Sequence, residues 1–492
     1  MAELLVKNLF HVHDKCNGHA STTVKDVVEY SIKNGYKKIV YTEHCPLLDN
    51  GKLFRPSIDD IKQMRLEISR LQLKYKNQIE IYFGYEAEYP KQHREYFQEL
   101  AKSGLCDYMI FGNHFYGDMW GNFKFTARDV PTVEELDEYY EQTLSAFKSG
   151  LFSYFAHPDI WVAPYCHKYG WDDKAKELTQ KLIDLAIEYD MPLGFNANGM
   201  HSPRDGFNYP SEYFWKMVAN TKAKVLIEAD AHHMKTLSVE WMNNTYNEAV
   251  KFGLKDLIVD DIPLKLFPIS QKIKGAIFDL DGVLTETSEL HYQAWKEILS
   301  KYNISLTREI NEQVKGLARK DTLIKILEIS NMLDKFSNEE LDKICALKND
   351  KYLELLKTLS PKDANPNIVD LLTILKAKKI KIALASSSKN APLILKKIEL
   401  YDFFDYIADP TQVKKSKPAP DIYLHAAQGI NIHPKDCIGF EDALMGVHGL
   451  NDANIFSVCI NQNKDIQQIS SIAFNTTKDI DFYKIEEKFN VR

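Results

Sequence analysis

Two aspartates, Asp279 and Asp281, stand two residues apart at the end of an apolar stretch. In an extended strand, residues i and i+2 share a face, so both carboxylates can point at one phosphoryl group. One would act as nucleophile and the other as acid and base. Gly282 follows them and allows the backbone to turn sharply over the site. Taken alone, the pattern is equally consistent with an acidic turn after a strand.

Three later segments favour the chemical interpretation. One apolar run ends in Ser386 and the polar residues 388–390, as buried strands do at the carboxyl edge of a parallel sheet. Lys417 lies in a loop stiffened by two prolines. Glu441 and Asp442 end another short apolar run, and such hard oxygen ligands suit Mg²⁺ together with substrate phosphate. Each segment is weak alone, but together and in this order they predict phosphoryl transfer.

Residues 272–492 resemble the haloacid dehalogenase superfamily, and within it the β-phosphoglucomutases. The resemblance implies that Asp279 forms an aspartyl phosphate and that Asp281 exchanges protons with the sugar hydroxyls. It implies that Ser386 and Lys417 steady the transferred group. It also implies a bound Mg²⁺, whose ligands would be Asp279, the backbone carbonyl of Asp281, Glu441 and Asp442.

The same resemblance implies two substrate-binding segments. A core-side phosphate grip is implied for Ser388, Lys389 and Asn390. The segment 315–319 resembles the family's substrate-reading loop, in which the residues that hold the sugar and its distal phosphate would be Gly316, Leu317 and Arg319.

Residues 287–359 interrupt the α/β pattern immediately after its first strand. They are rich in Lys, Glu and Leu with helical spacing, for instance Leu290, Ala294 and Ile298. A helical cap that closes on the substrate and excludes water is the expected device. We expect the apolar stripes to be core, and only residues 315–319 to be functional.

The N-terminal half carries an independent pattern. Eleven of the 15 histidines lie at or before His233, and several end apolar runs. Amphipathic stretches such as 57–76 and 174–189 lie between these runs, which predicts alternating strands and helices. A barrel of parallel strands gathers the C-terminal strand ends into one basin. Imidazole and carboxylate ligands there would suit two or three Zn²⁺, Mn²⁺ or Fe²⁺ ions.

Residues 5–265 resemble the polymerase-and-histidinol-phosphatase (PHP) family, in its histidinol-phosphatase branch. The metal ligands that this implies are His11, His13, His44, Glu86, His114, His157, Asp230 and His232, with His19 as a further candidate. Glu86 would bridge two ions. Residues 196–199, Arg204 and residues 209–211 resemble the branch's substrate-side segment. Glu228 and Ala229 depart from the family, which usually has a small Gly-Ser before the terminal Asp.

The predicted fold is α/β throughout. A distorted (β/α)7-type barrel is expected over residues 1–268, and a Rossmann-like core with a helical cap over 272–492. The core would comprise 272–286 and 360–492, and the cap 287–359. The segment 260–271, with two prolines, is the expected linker.

Composition limits the partners. The net charge of −7, without a basic run, argues against nucleic acid, so small sugar phosphates are the expected partners. Seven scattered cysteines without a Cys-x-x-Cys pair indicate a reducing compartment. With neither a signal-peptide pattern nor a membrane-length apolar run, a cytoplasmic location is expected.

The favoured hypothesis is a two-enzyme chain. The second half would interconvert β-D-glucose 1-phosphate and glucose 6-phosphate, with glucose 1,6-bisphosphate as intermediate and primer. The first half would be a metal-dependent phosphoesterase. In one alternative, the second half is a simple sugar-phosphate phosphatase. Arg319 and residues 388–390 distinguish the two, because a mutase must bind a phosphate at each end of its bisphosphate. Another makes the barrel a catalytically silent assembly module, against which the full ligand set argues.

Overall fold

The computed structural model describes residues 3–46, 55–117, 123–201, 209–267, 272–314 and 317–491. It divides into two compact units, Met1–Ser270 and Gln271–Arg492. Three residues of predicted function, Arg204, Lys315 and Gly316, lie outside the described residues. No helix within these ranges is long and apolar enough to cross a bilayer.

The first unit is built around a parallel sheet. Its strands are β1 (Asn8–Val12), β2 (Lys38–His44), β3 (Glu80–Ala87), β4 (Tyr108–Phe111), β5 (Phe115–Gly117), β6 (Phe123–Phe125), β7 (Phe152–Phe155), β8 (Leu193–Asn196) and β9 (Val225–Glu228). The short β5 and β6 form a separate hairpin, and the others pair in the order β1-β2-β3-β4-β7-β8-β9. Backbone hydrogen bonds such as Ala229 N to Phe10 O, 2.8 Å, join the first strand to the last. The predicted barrel is therefore confirmed.

Helices alternate with these strands and cover the sheet. They are α1 (Val24–Asn34), α2 (Ile58–Tyr75), α3 (Arg94–Lys102), α4 (Val133–Ser149), α5 (Val162–Tyr169), α6 (Asp173–Glu188), α7 (Ala197–His201), α8 (Glu212–Val218) and α9 (Val239–Lys251). The start of α2 shows why the sequence folds this way, since Ser57 and Asp60 form a reciprocal capping box. Because such helices return the chain to the same edge, every strand of the sheet ends on one side.

The second unit has a parallel sheet with a helical insertion. Its strands are β10 (Gly275–Phe278), β11 (Lys381–Leu384), β12 (Tyr406–Ile407), β13 (Cys437–Glu441), β14 (Phe456–Ile460) and β15 (Ile472–Phe474), in the order β12-β11-β10-β13-β14-β15. The chain crosses from one side of β10 to the other between β12 and β13. Such a switch point opens a crevice at the carboxyl ends of the strands.

The helices of this unit fall into two groups. Inserted after β10 are α10 (Ser288–Ser300), α11 (Arg308–Val314), α12 (Arg319–Ile329) and α13 (Asn338–Leu355). The sheet is flanked by α14 (Ile368–Ala377), α15 (Ala391–Lys397), α16 (Asp421–Gly429), α17 (Leu444–Asp452), α18 (Lys464–Gln468) and α19 (Phe482–Asn490). The inserted helices have their own apolar cluster, which includes Trp295, Ile298 and Leu323. The prediction that the apolar stripes are core is confirmed.

The local geometry at Asp279 and Asp281 differs from the sequence prediction. Strand β10 ends at Phe278, so the two aspartates lie just beyond the strand rather than within it, although the Asp279 amide still bonds Phe440 O at 3.1 Å. Gly282, at φ 80°, turns the chain, and the Gly282 amide bonds Thr285 O at 2.9 Å. Both carboxylates line the cavity from the segment between the end of β10 and this turn.

Candidate active sites

The predicted ligands of the first unit meet at one edge of the barrel. Each lies at or just beyond the carboxyl end of a strand, where the parallel sheet opens. The side chains of His11 and His13 are fully buried, and Glu86 is 1% exposed. Ring centroids of His13 and His232 lie 4.4 Å apart, and those of His13 and His44 lie 4.5 Å apart. Residues from opposite ends of the unit thus form one cluster.

Glu86 occupies the centre of this cluster. Its Oε1 lies 2.7 Å from His157 Nε2 and 3.0 Å from His114 Nε2. Its Oε2 lies 3.1 Å from His44 Nδ1 and 3.3 Å from His11 Nε2. A carboxylate that contacts different imidazoles with each oxygen has the arrangement expected of a bridging metal ligand.

The donor set fits divalent transition metals. Donor atoms of three groups lie within 4.8 Å of one another, namely His13 with His44 and His232, His11 with His13 and Asp230, and His11 with Glu86 and His157. Several buried ring nitrogens make no hydrogen bond of acceptable geometry within the described ranges, namely Nε2 of His11, His13 and His232 and Nδ1 of His44. Buried polar atoms are normally satisfied, so these nitrogens point to a ligand. Imidazole and carboxylate together suit Zn²⁺, Mn²⁺ or Fe²⁺.

The electrostatics of the cluster also favour bound cations. Burial acts to raise the pKa of Glu86, but His114 and His11 outweigh it and hold that pKa well below its usual range. Burial lowers the pKa of His13, yet Asp230 and Glu43 raise it to about 9. Without a metal ion, protons on some of these ring nitrogens would balance the carboxylates, whereas burial and His13 hold the pKa of His44 and His232 well below its usual range.

Two buried carboxylates behind the cluster escaped the sequence prediction. Glu88 Oε1 lies 2.7 Å from His114 Nδ1 and accepts from Arg55 Nη2 at 2.6 Å. Glu43 Oε1 lies 3.3 Å from His13 Nδ1. Glu88 could have been found from the strand pattern, since it is two residues after Glu86. Carboxylates in this position orient metal-binding imidazoles. The ring of the candidate ligand His19 lies 4.6 Å from that of His232, at the cluster's edge.

The second unit gathers its predicted residues at the switch point of the sheet. Lys417 Nζ lies 2.6 Å from Asp279 Oδ1 and 2.5 Å from Glu441 Oε1. Burial lowers the pKa of Lys417, but Asp279 and Glu441 outweigh it and keep that pKa well above its usual range. A fixed cation beside a strand-end carboxylate is suited to holding phosphoryl oxygens. Ser386, 2% exposed, ends the neighbouring run and lines the same cavity.

Three carboxylates of this site crowd together. Oxygen atoms of Asp279, Glu441 and Asp442 lie within 4.8 Å of one another. Burial, then Glu441 and Asp279, raise the pKa of Asp442 well above its usual range. A hard divalent cation relieves this repulsion, so the oxygen donors fit Mg²⁺. A Cβ on Gly282 would lie 2.1 Å from Asp442 Oδ2, so only glycine permits this close approach.

Asp281 is placed for proton exchange. Burial, together with Asp279, raises the pKa of Asp281 to about 7. Thr287 Oγ1 donates a hydrogen bond to Asp281 Oδ1 and fixes the carboxylate at the hinge into α10. A carboxyl group with a pKa near neutrality can both give and take a proton during turnover.

The inserted helices contribute the other wall of the cavity. Its volume is about 390 Å³, and its lining includes Asp279 and Lys417 from the core and Leu317 and Arg319 from the helices. Asn349 Oδ1 accepts from Arg319 Nη2 at 2.8 Å and from Asn390 Nδ2 at 3.0 Å. The side-chain amide of Asn349 thus connects Arg319, predicted to bind phosphate from the cap, with Asn390, predicted to bind phosphate from the core. Ser388 and Lys389 line the cavity.

His291 and Lys348 also line this cavity, although the sequence interpretation left them as helix residues. Lys348 is 1% exposed, and its Nζ lies 2.7 Å from His291 Nδ1. Burial, and then the charge of Arg319, lower the pKa of Lys348 to about 7. Polar residues are common on helices, so His291 gave no signal in the sequence. The one signal for a functional residue was Lys348, which lies on the otherwise apolar face of α13.

The two units define a class of protein: α/β enzymes of hydrolase and phosphotransferase type, with clusters of candidate metal ligands at the carboxyl edges of parallel sheets. Comparisons with known proteins identify the families. Residues 273–454 match the haloacid dehalogenase-like hydrolase family, and residues 10–198 match the PHP domain. β-Phosphoglucomutase of Bacillus subtilis strain 168 is 39% identical over 217 residues, which are 44% of this chain and 96% of the relative. The chain belongs to the haloacid dehalogenase-like family as a relative of β-phosphoglucomutase, and it also carries a PHP domain.

Other similarities cover the same half. A phosphorylated carbohydrates phosphatase of Thermotoga maritima is 28% identical over 218 residues, 42% of this chain and 96% of the relative. Among solved structures, a β-phosphoglucomutase from Clostridium difficile is 39% identical, with a TM-score of 0.44, and the match covers 45% of this chain and 100% of that one. The resemblances noted in the sequence are confirmed for both halves.

Proposed function

We propose that residues 272–492 interconvert β-D-glucose 1-phosphate and glucose 6-phosphate. The observation that carries this proposal is a single cavity with a cationic side chain on each wall. Lys417 lies beside Asp279 on the core side, and Arg319, hydrogen-bonded to Asn349, lies on the side of the inserted helices. A bisphosphate that reverses between two half-reactions must be held at both phosphates, whereas a phosphatase needs one such site. The 39% identity to a β-phosphoglucomutase supports the same choice.

The proposed chemistry divides between two carboxylates. A carboxylate oxygen of Asp279 attacks the phosphorus, the bond from phosphorus to the sugar oxygen breaks, and that oxygen takes the proton of Asp281. In the second half-reaction Asp281 removes the proton of the other hydroxyl, whose oxygen attacks the phosphorus and releases Asp279. Glucose 1,6-bisphosphate is therefore both intermediate and primer. Ser386 and Lys417 hold the transferred group throughout.

A metal ion completes the proposed site. Mg²⁺ would be held by Asp279, the backbone carbonyl of Asp281, Glu441 and Asp442. When bound, it neutralises charge on the phosphoryl oxygens. The helices α10 to α13 cover the cavity and exclude water, which would otherwise hydrolyse the aspartyl phosphate.

The direct test uses the full chain with β-glucose 1-phosphate, Mg²⁺ and trace glucose 1,6-bisphosphate. A coupled dehydrogenase assay measures glucose 6-phosphate, and a phosphate assay measures hydrolysis. Formation of glucose 6-phosphate should greatly exceed phosphate release. If each substrate consumed instead yields one phosphate, and still does so when His11→Ala and His13→Ala disable the first unit, the second unit is a sugar-phosphate phosphatase, the activity named for the Thermotoga relative.

We propose that the first unit is a metal-dependent phosphoesterase of histidinol-phosphatase type. The observation that favours it is Glu86, which contacts different imidazoles with each carboxylate oxygen and is placed to bridge two ions. Two or three Zn²⁺, Mn²⁺ or Fe²⁺ ions would supply an activated water and neutralise the ester phosphate. Metal analysis of the full chain, with a panel of phosphate esters that includes histidinol phosphate, tests this. Bound metal without turnover of any ester would instead support an assembly module.

A further inference from the structure

Glu228 fills a position at which the PHP resemblance leads one to expect a small residue. Its side chain is fully buried at the end of β9. Its Oε2 accepts from His11 Nδ1 at 2.9 Å. Its Oε1 accepts from the His157 backbone N at 2.9 Å and from Asn196 Nδ2 at 3.1 Å. The carboxylate therefore lies beneath the ligand cluster and has no surface with which to meet a substrate.

The neighbouring strand is shaped to admit this side chain. Gly194 lies on β8, which pairs with β9 in register. A Cβ on Gly194 would lie 2.6 Å from the carboxylate carbon of Glu228 and 2.6 Å from its Oε1. Such distances are far below van der Waals contact, so any larger residue at position 194 would push the carboxylate away from His11 and His157. The glycine and the glutamate form a matched pair.

We propose that Glu228 is a positioning residue of the metal centre, an inference that rests on the metal-dependent function proposed for the barrel. Because a carboxylate oxygen accepts from His11 Nδ1, the ring's lone pair is on Nε2, which lies 3.3 Å from Glu86 Oε2 and 3.8 Å from Asp230 Oδ1. Glu228 thus selects the tautomer in which His11 can bind a cation at the cluster.

The second oxygen of Glu228 acts on the backbone. His11 and His157 have φ angles of 65° and 31°, in the left-handed region that non-glycine residues rarely adopt. Such conformations persist only when the surroundings hold them. The bond from His157 N to Glu228 Oε1 holds one of these two strand ends, while the bond from His11 Nδ1 holds the side chain of the other. One carboxylate therefore positions two metal-binding imidazoles.

The test measures Zn²⁺ affinity of the full chain by competition with a chromophoric chelator, in excess Mg²⁺ to saturate the second unit. Glu228→Ala should weaken Zn²⁺ binding roughly 10- to 100-fold, the usual effect of losing such a partner. Glu228→Gln keeps the volume and loses only one acceptor, so a smaller loss is expected. Glu80→Gln, at an exposed carboxylate of the same unit, is the matched control and should bind Zn²⁺ normally.

A double-mutant cycle separates positioning from general damage. Gly194→Ala should weaken Zn²⁺ binding in the wild-type background but add nothing in the Glu228→Ala background, where the clash is gone. Unchanged Zn²⁺ affinity in Glu228→Gln and Glu228→Ala overturns the proposal, as do equal Gly194→Ala losses in both backgrounds. If circular dichroism shows that Glu228→Ala is unfolded, the Zn²⁺ affinity of Glu228→Gln decides whether the proposal holds. A wild-type chain that binds Zn²⁺ but hydrolyses no ester counts against the phosphoesterase function alone.

Discussion

Asp279 and Asp281 divide the proposed chemistry of the second unit between attack and proton transfer. Asp279→Asn should form no aspartyl phosphate from any donor, because an amide is not a nucleophile here. Asp281→Asn keeps the nucleophile, so it should still be phosphorylated by acetyl phosphate, whose leaving group needs no proton. It should not be phosphorylated by glucose 1,6-bisphosphate. Intact-mass spectrometry of the two variants checks this, and covalent phosphate on Asp279→Asn would remove Asp279 from its assigned role.

The raised pKa of Asp281 gives a directional pH dependence. With a pKa of about 7, caused by burial and by Asp279, this carboxyl keeps its proton up to neutral pH. Transfer from glucose 1,6-bisphosphate to Asp279 needs the protonated form, so its single-turnover rate should fall as pH rises through about 7. Transfer from the phosphoenzyme to a sugar hydroxyl needs the deprotonated form and should rise over the same range. Rapid-quench measurements that find both rates flat would contradict this.

At the scale of elements, α12 brings Arg319 to the cavity from the cap. Arg319→Ala removes a charge-assisted phosphate contact of about 1.5 to 3 kcal/mol, which corresponds to roughly 10- to 100-fold in rate or affinity. Mutase turnover should fall more than hydrolysis, because both half-reactions use the distal site. Lys325→Ala is the control, since Lys325, on the same helix, pairs with Glu328 at the surface. Equal losses in both activities would favour the phosphatase alternative.

The amide of Asn349 connects the inserted helices to the core. Its Oδ1 accepts from Arg319 in α12 and from Asn390 beside α15. Asn349→Ala should loosen this connection, admit water and shorten the lifetime of the aspartyl phosphate, so the ratio of mutase turnover to hydrolysis should fall several-fold. Asp350→Ala, at the exposed neighbouring position, should leave the ratio unchanged. Dephosphorylation rates that are equal in Asn349→Ala and wild type would show that the connection does not exclude water.

For the whole molecule, the proposed sites share no residue. The barrel cluster lies at or before His232, whereas the carboxylates of the second site begin at Asp279. Each unit also has its own apolar core, as the clusters around Phe10 and around Phe278 show. Combining His11→Ala with His13→Ala should therefore strip metal from the barrel and abolish its phosphoesterase activity, yet leave glucose 1-phosphate conversion nearly unchanged.

Metal analysis and the two activity assays on one preparation check this independence. A fragment that begins near Gln271 should likewise fold and convert β-glucose 1-phosphate with Mg²⁺ and a bisphosphate primer. An insoluble fragment, or loss of mutase activity in the double-histidine variant at saturating Mg²⁺, would make the barrel a structural or regulatory partner of the second unit.

The residues at the strand ends, and the chemistry they suggest, could be predicted from the sequence alone. Asp279, Glu441, Glu86 and the histidines end apolar runs, and parallel strands bring their carboxyl ends to one edge whatever the connecting loops do. Local periodicity also located the helices, as the stretch 57–76 and the observed α2 (Ile58–Tyr75) show. The ends of the strands and the positions of the helices both follow from the pattern of apolar residues over short segments, and this pattern can be read from one sequence.

Which side chains from distant parts of the sequence meet depends on how the helices and strands pack, and the sequence does not show it. His291 and Lys348 come together because α10 packs on α13, and nothing in either helix alone marks their 2.7 Å contact. In the sequence Glu228 is only a departure from the family's usual small residue, whereas in the barrel its carboxylate lies beneath the cluster, where Gly194 makes room. The direction of a side chain along one element follows from its period, but the face it meets is set by how the elements pack.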